Sequence, residues 1–262
     1  MIETKARASL FVRYFFNEVL KDEMLFFQGM STNKKSIHPR ERLLIYLFHI
    51  GHNPSYDVSA YSHDISKGVI AQSIKLVNNA LYDYLVPRYI KFPTPQEAEA
   101  SAEKFKEQGF PAKLIWGALD GTHVKVRPPI NNRDKYHNRH GTTSLNVLLL
   151  VDADGIFRWC ASHSPGRQHD SAIFHDSKLC KKLQKWSERH LPFKHAVIAA
   201  DSAFRRNLAY LLTPFLIAET VENQMKKDFN SLFCALRAII ERYIGILKVL
   251  SKHVEAWELK ET

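Results

Sequence analysis

Apolar residues recur at helical spacing over residues 8–28, 40–50 and 64–86. In the first stretch the stripe Leu10-Phe11 and Tyr14-Phe15-Phe16 predicts an amphipathic helix. In the second the apolar positions are Leu43, Leu44, Leu47 and Phe48. In the third, Ser66 is placed to cap a helix carrying Val69, Ile70, Ile74 and Val77, while Lys67, Gln72 and Lys75 point elsewhere. Two helices joined by a short turn, the second opening on polar and basic residues, fit a helix-turn-helix whose second helix enters a DNA major groove. They equally fit a small bundle that merely packs.

Residues 92–113 run Phe92-Pro93-Thr94-Pro95, an acidic helix, then Gly109-Phe110-Pro111, and read as a connector. Beyond it the pattern changes to short β-rich runs: Leu114 to Leu119, Val124 to Arg127, Leu145 to Val151, Ile156 to Ala161 and Ala196 to Ala200. Helical spacing returns at about 170–186, 204–213 and 228–250. Three strands with tight connections, then helix, strand and two helices, predict a mixed α/β sheet covered by helices. The expected organisation is a helical region over 1–91, a connector over 92–113 and a sheet domain over 114–262.

Composition excludes a disordered, collagenous or low-complexity chain: 45% of the 262 residues are hydrophobic and 24% charged. That length suits one main domain and a small accessory region. No apolar run approaches the roughly 20 residues that span a bilayer. Cys160, Cys180 and Cys234 are far apart and lack CxxC spacing, which disfavours a disulfide framework or zinc module and fits a reducing compartment. Charge changes the picture more. The net charge is +10, and residues 111–190 alone carry 13 basic and seven acidic groups together with seven of the 13 histidines. A basic middle segment suggests a polyanionic partner such as nucleic acid.

Within that framework, Asp120 follows Leu114-Ile115-Trp116-Gly117-Ala118-Leu119, and Asp201 follows Ala196-Val197-Ile198-Ala199-Ala200. Each is expected to terminate a central strand, where ligand sites form in open α/β sheets. Each alone could simply start a turn or cap a helix. Glu241 lies beside the helical stripe Leu236, Ile239, Ile240, Tyr243, Ile244 and Leu247, where it could be an exposed partner of Arg237 or Arg242. Asp170 follows Pro165-Gly166-Arg167-Gln168-His169, a loop leading into a helix. Clustered carboxylates repel unless a divalent cation neutralises them, and hard oxygen ligands left partly open suit Mg²⁺ or Mn²⁺. Two such ions about 3.5–4 Å apart can activate a water and stabilise the leaving oxygen in phosphodiester cleavage, a two-metal mechanism.

The motifs Gly117-Ala118-Leu119-Asp120-Gly121-Thr122-His123-Val124, Tyr136-His137-Asn138-Arg139-His140-Gly141 running into Ser144-Leu145-Asn146-Val147, and Pro165-Gly166-Arg167-Gln168-His169-Asp170-Ser171 follow one another in this chain. Ala200-Asp201-Ser202-Ala203-Phe204 and Arg237 with Ile240-Glu241-Arg242, Gly245 and Lys248 come after them. In this order they resemble the Harbinger-type DDE transposases and the nucleases derived from them. The resemblance covers about 110–250 and, more loosely, the chain from about 40.

It implies an RNase H-like α/β domain preceded by a helix-turn-helix-like region, and a metal-dependent DNA endonuclease. The acidic triad maps to Asp120, Asp201 and Glu241, with Asp170 a further ligand of Mg²⁺ or Mn²⁺. It also suggests a nuclear location, with the cytoplasm as a second compartment, and leaves open a Myb-like protein partner for targeting or nuclear entry. No basic run in the chain exceeds two residues, so an autonomous import signal is not evident. Lys67, Lys125, Arg127, Arg139 and Arg167 are the candidate DNA contacts.

The chain departs from the family where it has Ala200 and Ala203-Phe204 in place of Gly and Gly-Tyr, and Arg242-Tyr243-Ile244-Gly245 in place of Arg-Thr-Phe-Gly. With 21 residues after Glu241, packing behind the last helix is expected to be incomplete. A non-catalytic DNA-binding adaptor that keeps the fold is therefore the alternative reading. A phosphohydrolase built on His169-Asp170 with His163 and His175 is a third, disfavoured because such enzymes are all-helical.

Overall fold

The computed structural model describes residues 37–110, 113–204, 208–250 and 257–258, so the helix expected over 8–28 lies outside the described residues. The chain divides into two compact units, Met1–Pro87 and Arg88–Thr262.

In the first unit, α1 (Pro39–His52), α2 (Tyr56–His63) and α3 (Lys67–Ala80) follow one another closely. Leu43 of α1 packs on Val77 and Ala80 of α3, and the buried Arg42 guanidinium donates to the Ser73 hydroxyl at 3.0 Å. The Ser66 hydroxyl accepts from the Val69 N–H, so the expected cap forms. The helices expected over 40–50 and 64–86, joined by a short turn, are not direct neighbours along the chain. Instead α2 intervenes, capped by Ser55, and Asp64, at φ 51°, turns the chain from α2 towards α3. Past Ala80 the helix widens into a π-turn over Leu81–Leu85.

The second unit is the expected mixed sheet between helices. Its strands are β1 (Ile115–Arg127), β2 (Ser144–Val151), β3 (Phe157–Pro165), β4 (Val197–Ala200) and β5 (Leu211–Leu212), in the order β3-β2-β1-β4-β5. β1 runs antiparallel to β2 and parallel to β4, and β6 (Trp257–Glu258) pairs with the end of β1. Both sheet faces are buried, and alternation along the strands sorts the side chains between them. The short α5 (Arg133–Tyr136) precedes β2; Leu119, Leu148, Leu150, Ile198 and Ala200 face one core, with α6 (Asp170–Asp176) and α7 (Lys178–Glu188). Ala118, Val147, Leu149, Val151 and Ala199 face the other, against Phe233, Leu236, Ile240 and Ile244 of α8 (Gln224–Leu250).

Three expectations are corrected here. Residues 92–113 are not a connector: α4 (Pro95–Glu107) buries Ala98, Ala102 and Phe105 in the sheet unit, and the Ser101 hydroxyl donates to the Trp116 carbonyl at 2.8 Å. The two short strands expected on either side of Asp120 are one strand, because β2 pairs with it without interruption from Ala118 to Lys125. The described part of 204–213 is not helical and contains β5.

Candidate active site

Asp120 sits inside β1. Two residues after Ala118, it shares the face covered by α8. Asp201 follows β4, two residues after Ala199, and so points the same way. β1 and β4 are parallel neighbours with Leu119 opposite Ala200, which sets the two carboxylates side by side. On α8, Arg237 and Glu241 are four residues apart, one turn along the same flank of the buried stripe.

These elements converge on one guanidinium. Arg237 Nη1 lies 3.3 Å from Asp201 Oδ1, and Nη2 lies 3.1 Å from Glu241 Oε1 and 3.8 Å from Asp120 Oδ2. The three acids therefore surround a single cation. One positive group faces three negative ones. Asp120, with only 16% of its side chain exposed, feels this most. Burial drives its pKa up from 3.8 to about 6, the Gly121 N–H and Arg237 pull it back, and Asp201 and Glu241 add to the rise. The surface ion pair that the spacing of Arg237 and Glu241 suggested is thus real, but its guanidinium also serves the two strand acids. The i,i+4 spacing gave no sign of that wider role.

Asp170 reaches β1 from the other side. It is the first residue of α6, with His169 at the N-cap position, and its carboxylate lies within 2.8 Å of where a Cβ on Gly121 would stand. Only glycine leaves that room. The buried Asn146 amide donates to Asp170 Oδ1 and, at 3.0 Å, to the Gln168 carbonyl. Asn146 Oδ1 is left buried without a partner. Acids thus flank the Asp120-Gly121 step from both helical layers. Among the described residues, no three His, Cys, Asp or Glu side chains already meet as a metal cage.

Of the remaining candidates, Lys67 is paired with Asp57 at 2.8 Å in the first unit. Lys125, Arg127, Arg139 and Arg167 are exposed in the second. His175 contacts Asp176 rather than Asp170, and Asp170 belongs to a sheet unit, so the phosphohydrolase reading loses its premise. Tyr243 and Gly245 lie on α8 on either side of Ile244, which is buried against the sheet; Ala203 is exposed beyond β4.

Comparison with known proteins follows the same residues. The family described as DDE superfamily endonuclease matches residues 119–255, just over half of the chain. A protein named "Putative nuclease HARBI1" from Xenopus laevis is 28% identical over 183 residues, 68% of this chain and 48% of the relative. Proteins of that name from Rattus norvegicus and Homo sapiens are 28% and 27% identical over 188 and 183 residues, covering 70% and 68% of this chain and 50% and 48% of theirs. The chain spans about half the length of these curated relatives. No solved structure matches it.

Proposed function

The chain belongs to the DDE superfamily endonucleases, and from that membership we propose that it is a divalent-metal-dependent DNA endonuclease, transposase or transposase-derived. The observation that carries the reading is the ring of Asp120, Asp201 and Glu241 around one guanidinium. Three hard oxygen donors with one positive neighbour are an incomplete charge balance that Mg²⁺ or Mn²⁺ would complete. Asp120, Asp201 and Glu241 would hold the ion; Asp170, expected as a further ligand, stands on the opposite face of the sheet at Gly121 and is not brought together with them. The ion supplies activation of the attacking water and neutralisation of charge developing at phosphorus.

The protein's own part is positional. β1 and β4 fix two carboxylates on a rigid sheet, and α8 brings the third against them. Asp120, its pKa lifted to about 6 chiefly by burial, is the acid whose ionised form a bound cation would stabilise most. Arg237 holds the three acids together, with Nη1 on Asp201 and Nη2 on Glu241 and near Asp120. Action on chromosomal DNA places the protein in the nucleus in this reading, with a Myb-like partner supplying import.

Nicking of supercoiled plasmid tests the proposal. Relaxed circles are expected with Mg²⁺ or Mn²⁺ and none with chelator. DNA binding without nicking under any divalent ion would instead support the non-catalytic adaptor.

Arg237→Gln separates the counter-ion from the fold. In chelator it should lower unfolding free energy by about 1–2 kcal/mol, held down because Glu241 is 55% exposed. Mn²⁺ should restore most of that loss, because ligand binding to the folded state raises its stability. Thermal denaturation with and without the ion checks it.

A further inference from the structure

Several motif residues have no part in the acid ring: His123, Asn138, Ser144 and the loop Arg139-His140-Gly141. The fold gathers them. Asn138, only 9% exposed, is a hub. Its Oδ1 accepts the backbone N–H groups of His140 at 2.9 Å and Thr142 at 3.1 Å, and its Nδ2 donates to the Thr142 and Ser144 hydroxyls at 2.8 and 3.0 Å. Ser144, fully buried at the start of β2, also meets His123 Nδ1 at 3.0 Å. A buried amide satisfied on both sides pins the loop conformation. Gly141, at φ 71°, closes the turn and leaves Arg139 and His140 exposed at its tip.

A second segment docks on the same hub. A Cβ on Gly166 would overlap the Ser144 hydroxyl and the Tyr136 carbonyl, so glycine lets the β3–α6 loop settle there. The Arg167 N–H donates to the Lys135 carbonyl at 3.1 Å. Lys125 is the β1 neighbour of Ser144. The result is a rim of exposed Lys125, Lys135, Arg139 and Arg167 on rigid supports, and between Gly121 and Val151 the sole acid is Asp134.

Lys125 is five residues beyond Asp120 on β1, roughly 17 Å along the strand at 3.4 Å per residue, and the odd offset puts it on the face of Gly121 and His123, with the hub.

We propose that the Asn138–Thr142 loop is a preorganised clamp for the phosphodiester backbone of the DNA being cut, with Arg139 its contact and Asn138 its positioning residue. The inference rests on the nuclease reading and adds where on this domain the substrate backbone is held. Arg167 and Lys125 complete the cradle on the adjoining segments.

The test is binding of a fluorescein-labelled, mixed-sequence DNA duplex in chelator, by anisotropy over a range of salt, with thermal melts in parallel. Arg139→Gln should weaken binding about 3- to 10-fold and lower the salt slope by about one. Asn138→Ala leaves charge unchanged but frees the loop, and is expected to weaken binding several-fold and shift the slope towards that of Arg139→Gln. A merely structural role would lower the melting temperature and leave the slope alone. Should Asn138→Ala fail to fold, the exposed Arg139 variant still decides. Parent-like affinity and slope in folded Arg139→Gln overturn the clamp. Asp201→Asn, tested alongside for nicking, addresses the nuclease reading separately: nicking by that variant sinks the active site without touching the clamp result.

Discussion

Asp201→Asn should abolish metal-dependent nicking, by roughly 10³-fold or more, while leaving DNA affinity within about threefold of the parent, since one phosphate contact accounts for more than that. The substitution is nearly isosteric. Asp201 Oδ1 accepts from the Ser202 N–H and hydroxyl and from Arg237, and an amide oxygen can still accept all three. What disappears is one of three negative charges that attract the cation, at the sheet position where β4 aims a group at Asp120. Time courses of plasmid relaxation with Mg²⁺, paired with duplex binding in chelator, separate the loss of chemistry from loss of the substrate.

The second large effect has the opposite sign for stability. Asp120→Asn should make the protein more stable at neutral pH while removing its activity. In the folded chain the Asp120 carboxyl has its pKa pushed from 3.8 up to about 6, chiefly by burial. Below the lower value the group is protonated whether folded or unfolded, and it makes no difference. As pH rises from about 4 to about 6, the unfolded chain ionises freely while the folded one must hold a poorly solvated charge. Folding therefore loses up to about 3 kcal/mol by pH 7, at about 1.4 kcal/mol per pKa unit. The amide escapes that loss. Denaturation in chelator should show the variant ahead of the parent at neutral pH and level with it near pH 4. Saturating Mn²⁺ should narrow the gap by stabilising the parent's ionised form. A variant less stable than the parent at pH 7 would mean that Asp120 is held ionised by its surroundings.

How far the sequence disclosed this arrangement depends on what each segment does with its polar residues. The runs 147–151 and 197–200 are apolar on both faces, and α8 carries a clean stripe, so pattern alone locates them. β1 is different. Asp120, Gly121, Thr122 and His123 interrupt its apolar run and imitate a turn, because those positions answer to Arg237, Asp170 and Ser144 rather than to a hydrophobic core. α4 is legible as an acidic helix, but its packing is not: its inward face includes Ala98, Ser101 and Ala102, small residues that give little hydrophobic signal but allow close approach to the sheet. α2 has only Ser59 buried, so no stripe announces it.

The acids were legible as residue types in strand-like and helical contexts, yet their mutual approach needed the strand order β2-β1-β4 and the packing of α8 beneath it. Arg237 at the centre is visible in the sequence as a helix neighbour of Glu241 and as a motif residue, but not as the partner of the two strand acids. The hub at Asn138 was visible only as part of a motif with no assigned task. Both belong to interactions between distant segments, which local spacing does not encode.

Calorimetric titration of Mn²⁺ into the protein tests the central claim most directly, since every other inference about the acid ring depends on its holding a divalent ion. The account predicts saturable binding to the parent chain that is lost or severely weakened in Asp201→Asn. Absence of binding to the parent, or equal binding by both, would contradict it.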